Sequence, residues 1–135
     1  MPSSLRLLAG LVLLSIAAAI ASAIVINAQD MAQARTTAEQ LTGGSVSAGK
    51  HAFQAYGCSA CHAIKTLPGA DGQVGPSLDQ IATQAQLAGH LANSPANMAR
   101  WIQHPQQVDP GNGMPETGVS DQDARNISAY LYTLR

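Results

Sequence analysis

Two cysteines three positions apart, followed at once by a histidine, constrain this chain more than any other feature of its sequence. Residues 58–62 are Cys-Ser-Ala-Cys-His. The spacing of Cys58 and Cys61 lets each thiol add to one vinyl group on the same edge of a porphyrin, and His62 then reaches the iron from one face. The pattern predicts covalent attachment of one haem c, with His62 as an axial iron ligand.

Three other uses of the cysteine pair are weaker interpretations of the same residues. A thioredoxin-like redox pair would need a preceding strand and a βαβ pattern, which the surrounding sequence lacks. A structural zinc site would need a second pair of ligands, but there is no third cysteine, and the other histidines are scattered at His51, His90 and His104. A plain disulfide is chemically open but gives no reason for the adjacent histidine.

The chain is long enough for one domain, and its charge is nearly balanced. It has 135 residues and a formal net charge of −1, so neither nucleic acid nor a strongly anionic surface is indicated as a partner. All of its aromatic residues lie within residues 53–132. A globular part of about residues 46–135 is small for a core of side chains alone, and a buried porphyrin would supply the missing apolar surface.

The N-terminal segment is apolar enough to be a membrane anchor. Leu7–Ile26 is a run of 20 residues without a charge, preceded by Arg6. As a helix this run spans a hydrocarbon core of about 30 Å. A cleaved signal peptide is the alternative, with Ala21-Ser22-Ala23 as its cleavage site, although the apolar run continues beyond that point. In both cases the basic end stays inside and the remainder is exported.

These features divide the chain into an anchor or uncleaved signal, residues 1–26, a linker, residues 27–45, and a globular domain, residues 46–135. The linker is polar and alanine-rich and ends in Thr-Gly-Gly-Ser. Its first part can continue the membrane helix, which the two glycines would then interrupt. We interpret the linker as a tether that keeps the domain near the membrane, and an unstructured spacer is the alternative.

Helical patterns open and close the globular domain. Residues 47–56 repeat small and aromatic side chains at i, i+3, i+4 and i+7, and Gly49 on that stripe would let another helix approach closely. Ser120 and Asp123 predict the start of a C-terminal helix. The apolar side of that helix contains Ala124, Ile127, Leu131 and Leu134. We therefore expect the first and last helices to pack against each other.

Between these helices the sequence predicts a loop and one further helix. Residues 63–76 contain two turn dipeptides and no apolar period, which is typical of a loop. Ser94 followed by Pro95 predicts a helix start, and Pro105 predicts that the helix ends near residue 104.

The order of these features resembles a class I cytochrome c, the small all-helical fold with a single haem. The resemblance rests on Gly49 and Phe53, the cysteine–histidine motif, Gly75-Pro76-x-Leu78, Trp101, Met114-Pro115 and Ile127-x-x-Tyr130-Leu131. These residues span about residues 47–134. The resemblance implies an all-α fold of three to five helices around one covalently bound haem, behind a single N-terminal transmembrane helix.

The resemblance also implies the residues that surround the haem. The carbonyl of Pro76 would accept a hydrogen bond from His62 Nδ1 and orient the ring. Trp101 would pack near the distal side. Met114 would be the second axial ligand, whose soft sulfur suits reduced iron and raises the reduction potential. His104 is the rival candidate for that position.

An iron with two protein ligands has no open position for a substrate, which favours one-electron transfer. The resemblance therefore implies an electron-transfer protein of a respiratory chain rather than an enzyme. Its haem domain would lie on the periplasmic side of a bacterial cytoplasmic membrane. A haem enzyme or gas sensor, in which Met114 dissociates, is the alternative function.

The redox partner is suggested by residues 97–115, which are similar to cytochrome c domains attached to haem–copper terminal oxidases. This similarity implies a donor to, or a subunit of, such an oxidase. There are two alternatives. The protein would be a shuttle that takes electrons from a cytochrome bc complex, or it would accept electrons from a periplasmic dehydrogenase.

Overall fold

The computed structural model describes residues 2–135, most of which are helical. Within that range α1 spans Ser3–Thr42, α2 Val46–Ala55, α3 Pro95–Gln103, α4 Pro105–Val108 and α5 Asp121–Leu131. Two short 3-10 helices cover Cys58–Ala60 and Ile81–Thr83, and β1 (Gln86–Leu87) pairs with β2 (Leu91–Ala92) in an antiparallel sheet. The predicted all-α fold is confirmed, with this small sheet as an addition.

Helix α1 is long and apolar enough to cross a membrane, judged by length and composition. The charge-free run Leu7–Ile26 lies within it, and the large apolar side chains of that run are exposed. A helix that is apolar on all sides is typical of a segment surrounded by lipid. This helix is therefore the candidate membrane span of the chain.

Residues 34–135 form one compact unit, which includes the last turns of α1. The helix ends just before Gly43, whose φ of +66° is left-handed. The N–H of Ser45 then donates to Asn126 Oδ1 over 2.9 Å. The predicted interruption of the helix by the two glycines is confirmed, whereas the boundaries of anchor, linker and domain stay predictions.

Helices α2 and α5 cross in close contact at Gly49. A Cβ atom on this residue would overlap the carbonyl oxygen of Asn126, so no larger side chain fits at this separation. Further along the helices, the rings of Phe53 and Tyr130 meet edge to face, with centroids 6.0 Å apart and planes at 66°. The predicted packing of the first and last helices of the globular domain, α2 and α5, is confirmed, with Gly49 at the crossing.

Two hydroxyl caps begin α3 and α5 as the sequence predicts. Ser94 Oγ accepts the N–H of Asn97 over 3.3 Å, and Ser120 Oγ accepts the N–H of Asp123 over 3.1 Å. The Asp123 carboxylate accepts from the Ser120 hydroxyl over 2.9 Å and from the Tyr56 hydroxyl over 3.0 Å. The cap of α5 therefore also ties this helix to the end of α2.

The hairpin of β1 and β2 is a feature that the sequence analysis did not predict. Its strands have two residues each, too few to give an alternating pattern. Ala88, Gly89 and His90 join them, and the first two have φ angles of +50° and +77°. Two successive positive φ angles are typical of the tight turns that connect antiparallel strands.

Residues 63–76 form a loop, as predicted, and the loop is anchored through Asp79. Ile64 and Leu67 on the loop are buried. The backbone N–H of Lys65 donates to Asp79 Oδ1 over 2.7 Å, and the Ser77 hydroxyl donates to Oδ2 over 3.0 Å. The carboxylate therefore supplies acceptors that a regular helix or strand would have provided.

The Asp79 carboxylate is expected to make the stability of the domain depend on acid pH. The Lys65 N–H, followed by the Ser77 hydroxyl, holds the pKa of Asp79 below its ordinary value. Such a group stabilises the folded state above the unfolded pKa of about 3.9, and the contribution is lost as the pH falls through the lower folded pKa. Below about pH 4 the free energy of unfolding should therefore fall faster in the unmodified protein than in Asp79→Asn.

Urea unfolding at several pH values between about 3 and 6 measures this difference. Asparagine keeps an acceptor oxygen for Lys65 but cannot be ionised. Asp71→Asn, at an exposed position of the same loop, is the matched control and should follow the unmodified protein. Parallel pH curves for Asp79→Asn and the unmodified protein would contradict the expectation.

Candidate functional site

Residues 57–62 form a tight turn that brings the three motif side chains to one cavity wall. Gly57 follows α2 with a φ of +73°, a conformation that glycine adopts without steric cost. In the 3-10 helix that follows, the carbonyl of Cys58 accepts the N–H groups of Cys61 over 3.2 Å and His62 over 3.0 Å. All three motif residues are partly buried and line the same cavity.

The His62 ring is held by the Gly75-Pro76 turn. Its Nδ1 lies 2.8 Å from the carbonyl oxygen of Pro76 and donates to it, because a carbonyl only accepts. Nε2 is therefore the nitrogen available for a metal. A Cβ atom on Gly75 would lie 2.7 Å from Nδ1, so the ring rests against bare backbone. The resemblance implied this contact of His62 with Pro76, and its role toward iron stays a prediction.

The cavity lies within the compact unit of residues 34–135 and has a volume of about 450 Å³. All six residues proposed from the sequence line it: Cys58, Cys61, His62, Pro76, Trp101 and Met114. Most of the remaining wall is hydrophobic and contains Phe53, Leu78, Ile81, Leu87, Met98, Ile102, Ile127 and Leu131. The chain thus gathers two thiols, an imidazole and a thioether around one apolar space.

The structure separates the two candidates for the second axial ligand. Met114 follows α4 in the chain, is partly buried and lines the cavity. His104 lies between α3 and α4 with about half of its side chain exposed, does not line the cavity, and has its Nδ1 3.7 Å from Glu116 Oε2. The geometry therefore favours Met114 over His104.

One buried hydroxyl beside the cavity has no partner within residues 2–135. Thr117 contributes to the lining, and its buried Oγ1 makes no hydrogen bond to the described residues. Buried polar atoms are nearly always hydrogen-bonded, so this atom indicates a group that is not part of the polypeptide. Together with the donor set and the apolar walls, it fits a covalently attached haem.

The surroundings of Cys58 do not suit a catalytic thiol. Burial raises the pKa of the Cys58 thiol above its ordinary value, whereas redox-active cysteines have lowered pKa values. Cys58 and Cys61 are not joined in a disulfide. No group of three or more His, Cys, Asp or Glu side chains in the described part of the chain is arranged to hold a metal ion. Haem attachment is the interpretation that this environment supports.

Several residues around the site were missed by the sequence analysis. A Cβ atom on Gly72 would come within 2.5 Å of the carbonyl oxygen of Ala60, so this glycine lets the loop pack against the cysteine turn. Gln106 and Asn112 hydrogen-bond to the backbone of Met114. The dipeptide at 71–72 predicted only a turn, and hydrogen bonds from side chains to loop backbone leave no periodic pattern in a sequence.

A methyl group at Gly75 is expected to displace the His62 ring. In Gly75→Ala the new atom would meet Nδ1 and Nε2 at 2.7 and 3.0 Å, so the ring or the turn must move. We expect a loss of about 1–3 kcal/mol in the free energy of unfolding and a changed reduction potential of the haem-loaded protein.

Denaturant unfolding and redox titration measure these two effects. Gln73→Ala, at an exposed position two residues earlier, is the control and should change neither quantity. Equal stability and equal potential in Gly75→Ala and Gln73→Ala would show that the ring does not depend on the glycine.

The cytochrome c family model matches residues 46–135. The chain therefore belongs to the cytochrome c family, and the resemblance to a class I c-type cytochrome is confirmed. Family membership implies haem c as the cofactor and electron transfer as the activity.

Known relatives include both oxidase subunits and a small cytochrome. Cytochrome c oxidase subunit 2 of Alkalihalophilus pseudofirmus is 32% identical over 88 residues, which cover 64% of this chain and 25% of the relative. Cytochrome c oxidase subunit 2 of a Bacillus species is 28% identical over 82 residues, with coverages of 58% and 23%. Cytochrome c2 of Rhodopila globiformis is 31% identical over 100 residues, with coverages of 64% and 91%.

The chain thus spans about a quarter of the length of the two oxidase subunits and nearly all of the cytochrome c2. No solved structure gives a significant match to this chain.

Proposed function

We propose that this protein is a membrane-anchored one-electron carrier of a respiratory chain. Haem c, when bound, supplies one-electron exchange at its iron. Cys58 and Cys61 would hold it covalently, and His62 and Met114 would be its axial ligands. The observation that carries the proposal is that these four side chains line a single apolar cavity.

The residues around the ligands support this assignment. The hydrogen bond from His62 Nδ1 to Pro76 fixes the tautomer and orientation of the ring and increases the basicity of Nε2. Trp101 lines the cavity and would pack against the haem, and the hydrophobic walls would keep water from the iron. Because the same two side chains would hold the iron in both oxidation states, electron transfer would need little rearrangement of the site.

Electron transfer rather than catalysis follows from two protein ligands on one iron. The haem enzyme or gas sensor of the sequence analysis would need Met114 to leave the iron. Carbon monoxide binding to the reduced protein distinguishes the two functions, because slow and weak binding is expected of a carrier. Rapid, tight binding in the unmodified protein would favour the sensor.

For the redox partner we propose a haem–copper terminal oxidase, which this chain serves as a donor or as a subunit. The relatives named cytochrome c oxidase subunit 2 support this choice. The match to nearly the full length of a cytochrome c2 favours a second candidate, a separate carrier that receives electrons from a cytochrome bc complex. A periplasmic dehydrogenase as electron donor is the third alternative.

The candidate membrane span supports the location that we propose. Helix α1 would cross the bacterial cytoplasmic membrane once, with the haem domain on the periplasmic side, where a short tether would raise its concentration near membrane-bound partners. A variant in which a cleavable export signal replaces residues 1–33 should therefore be exported but released from the membrane, since residues 34–135 form one compact unit.

Purification from native membranes in a mild detergent tests the partner. Co-purification of a copper-containing oxidase in equal amount, with electrons passing from this haem to oxygen, would establish a subunit. Isolation of the haem protein alone, with transfer to an added oxidase, would establish a separate carrier. If electrons from this haem protein reduce oxygen through none of the haem–copper oxidases of the same membrane, the choice of partner is wrong.

A further inference from the structure

The side chain of Gln106 is hydrogen-bonded to the backbone of the segment that carries Met114. Its Nε2 donates to the carbonyl oxygen of Met114 over 2.7 Å and to that of Asn112 over 2.9 Å. Its Oε1 accepts the N–H of Gly111 over 3.0 Å. One amide therefore makes three hydrogen bonds to the backbone of a four-residue stretch.

This stretch has little other backbone support. Residues 112–120 are neither helix nor strand, so hydrogen bonds to side chains replace a regular ladder. Asn112 contributes its Oδ1 as acceptor for the N–H of Met114 over 2.7 Å and donates through Nδ2 to the carbonyl oxygen of Pro105 over 2.9 Å. Gln106 is thus the residue of α4 whose side chain binds the backbone of Gly111, Asn112 and Met114.

The loop is also bound beyond Met114, at Glu116. The backbone N–H of Gln106 donates to Glu116 Oε1 over 3.1 Å. Gln106 therefore also connects helix α4 to the chain beyond Met114 through its backbone. Removing the Gln106 amide would leave this outer bond intact and free only the stretch from Gly111 to Met114.

We propose that Gln106 is a positioning residue that keeps Met114 on the haem iron and so keeps the iron closed to outside ligands. This inference rests on the proposed role of Met114 as axial ligand. A bound methionine competes with any ligand from solution, and the apparent affinity of that ligand is reduced by the fraction of protein in the open state. Fixing the loop lowers that fraction. Gln106 thereby increases the fraction of protein in which the iron is closed to outside ligands.

The next residue offers a matched control. Gln107 lies on the same short helix and is exposed. Gln106→Glu and Gln107→Glu introduce the same charge one position apart. Only the first replaces a donor to two carbonyl oxygens by a carboxylate, which cannot donate to them when ionised.

Imidazole binding to the oxidised, haem-loaded full-length protein tests the proposal. Two lost hydrogen bonds of ordinary strength predict an affinity about tenfold to a hundredfold higher in Gln106→Glu than in the unmodified protein. Gln107→Glu should stay within about twofold of it. Gln106→Leu, which has a similar size and no amide, should behave like Gln106→Glu and serves if the charged variant does not take up haem.

The outcomes separate this proposal from the one on which it rests. Unchanged imidazole affinity in both Gln106 variants would overturn the positioning role, and so would a lowered thermal midpoint without a gain in affinity. If the unmodified protein lacks the weak far-red absorption band of a methionine–iron bond, and Met114→Leu leaves the spectrum unchanged, the ligand assignment itself is wrong. Increased affinity at position 106 together with that band supports both.

Discussion

Replacing Met114 by alanine is expected to lower the reduction potential of the haem-loaded protein and to open its iron to carbon monoxide. Thioether sulfur favours reduced iron, so its loss stabilises the oxidised state relative to the reduced one. Axial ligation sets haem potentials over a range of about 0.8 V, and apart from His62, the other proposed axial ligand, no single side chain of this site is expected to have so large an effect. Because Met114 is only partly buried and lies outside the helices, the fold should survive the change.

Redox titration and carbon monoxide binding to the reduced form measure the two effects. Met98→Leu is the matched control, because Met98 also lines the cavity but lies on α3 and is buried in the core. This control should keep the far-red band and a potential close to that of the unmodified protein. An unchanged potential and spectrum in Met114→Ala would show that another group holds the second axial position.

The local parts of the fold were predictable because their causes lie within a few residues. A hydroxyl at Ser94 or Ser120 accepts an N–H three positions later in the chain, so each cap can be recognised in the sequence without knowledge of the fold. The cysteine–histidine motif is contiguous for the same reason. Its turn is closed by hydrogen bonds from Cys61 and His62 back to Cys58.

The parts that were missed depend on residues far apart in the chain or on backbone conformation. Gly72 is constrained by the carbonyl oxygen of Ala60, and Tyr56 by the carboxylate of Asp123, at separations that no local pattern encodes. The hairpin depends on a positive φ at Ala88, a residue type that seldom adopts it. Composition and periodicity do not contain this information.

The site itself was predicted residue by residue, but only partly from physics. Spacing alone indicates the roles of the cysteines and of His62. The assignments of Pro76, Trp101 and Met114 came mainly from the resemblance to a family, although the helix predicted from Ser94 to about residue 104 already separates Met98 from Met114. The structure adds what neither source contains, namely that the Gln106 side chain binds the backbone of residues 111–114, the stretch that ends at Met114.

The helix crossing gives the second prediction of large effect. Gly49→Ala is expected to destabilise the domain by about 3 kcal/mol, because the new methyl group would overlap the carbonyl oxygen of Asn126. Neither helix can move aside easily. The N–H of Ser45 is bound to the Asn126 side chain at one end of the crossing, and Phe53 packs on Tyr130 at the other.

The sign of this effect discriminates between packing and helix propensity. In a helix without neighbours, glycine to alanine stabilises by about 1 kcal/mol, so a tolerant crossing would give a more stable protein. Thermal unfolding of the haem-loaded protein should instead show a midpoint lowered by roughly 12 to 24 °C, if a domain of this size shifts by about 4 to 8 °C per kcal/mol.

Lys50→Ala is the matched control for the crossing, because Lys50 is the next residue of α2 and is exposed. It should remain within about 0.5 kcal/mol of the unmodified protein. Equal or higher stability of Gly49→Ala relative to this control would mean that α2 and α5 are farther apart in solution. The wall that the two helices give to the cavity, through Phe53 and Ile127, would then be looser. The stability measured for Gly49→Ala therefore also reports how tightly α2 and α5 enclose the haem.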